Sequence, residues 1–150
     1  MMIPLPEDTI VATLRGQNGY VMQWGNWETQ LAEHGVFAEN ERWCRFDVQI
    51  TSDWYTVRAE VETFLDNIAS LYDDLHKLYE TLDEMAQFGA VYGAYTFDIT
   101  PATMGLLIVK GTLGKNADSE ERIDYTFMTD PTSLGRFCED LAKLLEKEHI

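Results

Sequence analysis

The sequence predicts an α+β fold: an antiparallel β-sheet meander with one long and one C-terminal α-helix packed on one face. Three observations carry this. Several segments alternate apolar and polar residues with a period of two, the pattern of half-buried antiparallel strands. Val61, Phe64, Leu65, Ile68, Leu71, Tyr72, Leu75, Leu78, Tyr79 and Leu82 then recur in steps of three and one. That spacing draws one continuous apolar stripe on a helix of about six turns. A second stripe near the C-terminus holds Leu134, Phe137, Cys138, Leu141, Leu144 and Leu145. Alternating strands and striped helices bury each other by stacking as layers.

In chain order, Thr9 to Arg15 alternates with Ile10, Ala12 and Leu14 on one side. Gly16-Gln17-Asn18-Gly19 signals a turn, and Tyr20 to Trp24 reads as the returning strand. Gly25 to Asn40 reads as a short strand plus loop. Trp43 to Ile50 and Trp54 to Glu60 form a hairpin around Thr51-Ser52-Asp53. The long helix follows over Val61–Leu82. Three more strands are expected: Val91 to Ile99, Met104 to Leu113, and Arg122 to Met128. Asp130-Pro131 then places an acceptor side chain and a proline where a helix starts, and the last helix is expected to fray at Glu146 to Ile150. No linker, repeat or low-complexity tract interrupts residues 1–150, so one domain is expected.

The charge narrows the partners. The 150 residues hold 26 Asp+Glu and 11 Lys+Arg, a formal net charge of −15. Such a surface repels phosphate backbones, which proteins bind by neutralising them with Lys and Arg, and it repels the anionic cytoplasmic leaflet. No nucleic acid and no membrane are therefore expected as partners, whereas a basic protein would be steered inward. The start has neither a basic nor an apolar stretch of signal-peptide type. A cytoplasmic location follows, with Cys44 and Cys138 reduced and buried.

Chemical motifs are few. His34, His76 and His149 have no metal-ligand spacing, and Cys-x-x-Cys is missing. No Gly-x-Ser-x-Gly elbow occurs, and the pairs Gly16/Gly19 and Gly105/Gly111 lack the rest of a phosphate loop. No catalytic residue, metal or cofactor is expected. Two surfaces remain. One is the acidic side of the long helix, Asp73, Asp74, Glu80 and Asp83, continued by Glu84: either a solvated face or a docking surface for a basic protein. The other is the sheet face away from the helices, lined by Trp43, Arg45, Asp47, Trp54, Arg58, Tyr92, Arg122 and Asp124. Trp, Tyr and Arg are the residues that anchor interfaces. Unless the N-terminal strands fold over this face as a second layer, Trp43 and Trp54 are candidate anchors there.

From about Arg42 to the end, the order of these elements resembles the WapI-type immunity proteins, antidotes to bacterial wall-associated contact-dependent toxins. The residues that carry the likeness are the long acidic helix with Phe64-Leu65, Leu71-Tyr72, Leu75 and Leu82, and the strand Gly105-Leu106-Leu107-Ile108-Val109-Lys110-Gly111-Thr112-Leu113. Tyr125-Thr126-Phe127-Met128-Thr129-Asp130-Pro131-Thr132-Ser133-Leu134 closes it, with Pro131 departing from the pattern where a polar residue such as Gln is expected. The resemblance implies a non-catalytic bacterial protein that binds and blocks a cognate toxin, expected to be basic and of nuclease type. A generic acidic adaptor domain with another protein partner is the alternative. The oligomeric state stays open.

Overall fold

The structure, a computed structural model, describes residues 4–31, 42–92, 94–115 and 120–148. Among them lie β1 (Ile10–Arg15), β2 (Val21–Leu31), β3 (Arg42–Thr51), β4 (Thr56–Phe64), α1 (Leu65–Thr81), β5 (Ala86–Gly89), β6 (Tyr95–Pro101), β7 (Leu107–Gly114), β8 (Arg122–Thr129) and α2 (Pro131–Lys147). The fold is α+β, with every strand pair antiparallel.

The strands make two meanders, β1-β2-β3-β4 and β5-β6-β7-β8, where the alternation alone suggested one. The cause is α1. Its 17 residues carry the chain roughly 25 Å from the end of β4, so β5 begins a new sheet. The sheets touch at both ends of the first one. At the β1 end, the Gln17 N–H donates to the Met128 carbonyl (2.8 Å) and the Thr129 hydroxyl to the Arg15 carbonyl (2.6 Å). At the β4 edge, Glu62 and Tyr92 exchange backbone hydrogen bonds of 3.2 and 3.0 Å.

Between the sheets and the helices runs one continuous core. Trp24 of β2 is fully buried at its centre, 4.5 Å from Phe46 and 5.6 Å from Phe137 between ring centroids. Its indole N–H donates to the Tyr95 hydroxyl at 2.9 Å, and that hydroxyl donates to Met22 Sδ at 3.0 Å. These buried polar atoms of the two sheets thus satisfy one another. α1 buries Leu65, Ile68, Leu71, Leu75 and Leu78, and α2 buries its expected stripe in full.

Several boundaries differ from expectation. The helix starts at Leu65, because β4 stays paired with β3 through Phe64 opposite Trp43. Val61 faces the core from a strand, and Leu65, four residues on, faces it from the helix, so the stripe looks continuous. Phe64 points the other way, onto Trp43. β2 runs on to Leu31 instead of ending at Trp24, and residues 32–41 of the expected loop lie outside the described residues. The expected Val91–Ile99 strand is present as β6 from Tyr95 on, an additional strand β5 precedes it, and Val91 and Tyr92 lie in their connection. β7 begins at Leu107, after a short turn in which Met104 has a φ of 61°.

Both helix ends follow local chemistry. Asp130 Oδ1 accepts from the Ser133 N–H at 2.7 Å and Pro131 sits in the first turn, as the sequence indicates. α1 stops where Leu82 turns left-handed and its N–H bonds the Leu78 carbonyl at 2.7 Å.

The end of α2 is pinned where fraying was expected. Glu148 is only 9% exposed. Its carboxylate takes hydrogen bonds from Arg42 (2.7 Å), Thr29 (3.0 Å) and the Trp27 indole (3.3 Å), and Arg42 also donates to its carbonyl at 2.6 Å. Glu148→Ala leaves these donors of β2 and β3 without their acceptor and should lower stability by about 1.5–3 kcal/mol. Urea unfolding of the two proteins measures this directly, and a difference under about 0.5 kcal/mol would show that the contacts contribute nothing. His149 and Ile150, also assigned to the frayed end, lie outside the described residues.

Candidate functional site

The acidic residues of the long helix and its end are exposed. Asp73, Asp74 and Glu80 are exposed on α1, and Asp83 and Glu84 are exposed in the turn after it. The apolar stripe of α1 faces the core, which forces these carboxylates outward. The cluster is not uniformly negative. Lys77 is exposed among these residues, and His76 Nδ1 lies 3.3 Å from Glu80. His34 and His149 lie outside the described residues.

The tryptophans separate. β1 and β2 extend the first sheet beside β3 rather than covering it, so its outer face keeps Trp43 half-exposed. There Trp43 packs on Phe64 (centroids 4.2 Å apart) and stacks on Tyr92 (5.4 Å, planes 19° apart). Arg45, next on that face, is ion-paired with Glu28. Trp54 is not on a sheet face at all. It lies in the β3–β4 turn, 94% exposed, because the strand begins only at Thr56 and Ser52 to Tyr55 close the turn by a 2.9 Å hydrogen bond. The length of the hairpin, roughly 26 Å from Trp43 to Thr51, therefore divides the two.

A third feature escaped the sequence. A groove of about 610 Å³ opens between β4 and the adjoining ends of β7 and β8, over an apolar floor of Val57, Ala59, Leu113 and Ile123. Arg58 and Arg122, expected on an open sheet face, stand at its rim with Lys115. The signal available in the sequence is the row Val57, Ala59, Val61, and its apolar alternation says nothing of the groove. Only the division into two sheets leaves the first half of that row uncovered.

The thiols are quiet. Burial pushes Cys44 up to about 12 and Cys138 up to about 11, so both stay protonated at neutral pH. Cys44 donates to the Thr63 carbonyl at 3.4 Å. Among the described residues, no group of three or more His, Cys, Asp or Glu is placed to hold a metal ion. No described helix is long and apolar enough to cross a membrane.

The WapI-like immunity protein family matches residues 24–148. The chain belongs to that family. The match starts well before Arg42 and covers β2 from Trp24 on, with the Trp27 and Thr29 partners of Glu148. It ends at Glu148, the residue that fastens α2 to β2 and β3. Comparison with curated proteins and with solved structures gave no match.

Proposed function

We propose that this WapI-like immunity protein is a non-catalytic, cytoplasmic inhibitor that binds and neutralises a cognate basic toxin of nuclease type. The family match over residues 24–148 carries this reading. The net charge of −15 supports the basic partner, since a field of that sign accelerates encounter with a cationic domain and repels nucleic acid. Asp73, Asp74, Glu80, Asp83 and Glu84 supply the part of this field fixed on one exposed surface. Trp43, held by Phe64 and Tyr92, and the exposed Trp54 supply aromatic area for separate contacts.

Calorimetric titration of the purified chain into the cognate toxin domain tests the reading. A saturable 1:1 complex is expected, together with no binding to duplex or single-stranded DNA or RNA at the same low salt. A tight nucleic-acid complex, or no complex with the toxin domain, would overturn it.

A further inference from the structure

β4 is an edge strand that stops being an edge at one residue. Glu62 exchanges both backbone hydrogen bonds with Tyr92. In an antiparallel ladder the backbone groups of alternate residues point to the same side, so Glu60 and Arg58 present their N–H and C=O in the direction in which Glu62 presents its own. No described residue bonds them there. Of the usual protections of such an edge, β4 has charged side chains, Arg58, Glu60 and Glu62, but neither a proline nor a bulge. Its register with β3 runs unbroken from Thr56 to Phe64, whereas the β1–β2 and β2–β3 pairings both slip.

These groups face the groove described above. Its floor is apolar, and Val57, Ala59 and Ile123 are each only half-buried although they belong to the inward rows of their sheets. Its rim carries Arg58, Lys115 and Arg122, three of the 11 Lys+Arg of a chain with 26 acids. Glu60 and Glu121 stand among them. Three cations against two carboxylates leave this rim net positive on so acidic a protein, which favours a ligand that is locally anionic.

We propose that the groove takes an extended segment of the partner protein, added as a strand to β4 at Arg58 and Glu60, with apolar side chains on the floor and carboxylates against Arg58, Lys115 and Arg122. This rests on the proposed toxin-binding function and names the contact it uses. Main-chain hydrogen bonds supply affinity in such strand addition, and alternate side-chain pockets supply specificity. A domain that is basic overall is steered by the field of the whole chain and still seats one acidic strand locally.

Two synthetic peptides of about six residues, one alternating Val with Glu and one alternating Val with Lys, separate this contact from the wider reading. Amide NMR of the intact chain is expected to show saturable shifts at Arg58 and Glu60 with the Val–Glu peptide. At matched concentration the Val–Lys peptide should bind at least about tenfold more weakly. Glu60→Pro removes a donor that faces the groove and leaves the β3 ladder whole. It should weaken Val–Glu peptide binding at least about tenfold with an unchanged far-ultraviolet spectrum. If that variant fails to fold, Arg58→Glu with Arg122→Glu serves instead, with the same expected loss. Equal binding of both peptides, no shift at Arg58 and Glu60, or unchanged binding by the variants would overturn the proposal. So would a wild-type dimer by light scattering that the Glu60→Pro variant dissolves, since the occupant would then be a second copy. A chain that binds the Val–Glu peptide but no toxin domain would refute the function instead, and with it the toxin as the source of the strand.

Discussion

Trp24→Ala is expected to cost about 3–5 kcal/mol of unfolding free energy, the range for deleting a large aromatic from a packed core. The residue is fully buried and its ring meets Phe46, Phe88, Tyr95 and Phe137, side chains from both sheets and from α2. Removing it opens a cavity where three layers converge and takes the indole donor from the Tyr95 hydroxyl. Domains of this kind are stable by only about 5–15 kcal/mol, so the variant loses a large share of the total. Trp24→Phe keeps most of the ring volume and should lose about 1–3 kcal/mol, chiefly the hydrogen bond. Urea denaturation followed by circular dichroism gives both numbers. A loss below about 1.5 kcal/mol for the alanine variant would mean that the layers do not depend on this contact.

The second large effect is kinetic. Replacing Asp73, Asp74, Glu80 and Asp83 with Lys reverses four charges and takes the formal net charge from −15 to about −7. All four side chains are exposed, so each substitution should change stability by no more than about 0.5 kcal/mol. Association with a basic toxin domain should slow by about 10- to 1000-fold at low salt, the range that electrostatic steering covers. The difference from wild type should shrink as salt rises, with the dissociation rate little altered. Stopped-flow association over a salt series reads this. Equal rates at low salt would move the steering surface away from α1.

How far the sequence reveals this fold depends on the range of the interaction that fixes each element. Asp130-Pro131 caps α2 by contacts within four residues, and that cap is legible. The apolar rows of β3, α1 and α2 are legible because period alone assigns them to the core. The β4–α1 junction is not. Val61 and Leu65 are spaced as on one helix, and only the pairing of Phe64 with Trp43, 21 positions away in the chain, shows where the strand ends. The two-sheet arrangement hides for the same reason, since it depends on where α1 delivers the chain. Glu148 looks like a frayed end until Arg42, Thr29 and Trp27 converge on it across more than 100 residues.

The candidate surfaces divide in the same way. The carboxylates of α1 are legible because a helix with one buried stripe must expose the rest. Trp54 reads as a sheet-face residue because the sequence places the turn at Thr51 to Asp53, whereas the strands leave Ser52 to Tyr55 unpaired as the turn. The β4 groove is invisible in sequence, because an uncovered strand edge is a property of what is absent beside it in space.

Toxin neutralisation itself is measured by growth of bacteria that produce the cognate toxin domain, with and without the chain, and by recovery of the complex from the same cells. Growth restored by the wild-type chain, with chain and toxin eluting together at 1:1, is the expected result. Continued arrest in cells that contain the folded chain, with no complex recovered, would contradict the immunity function.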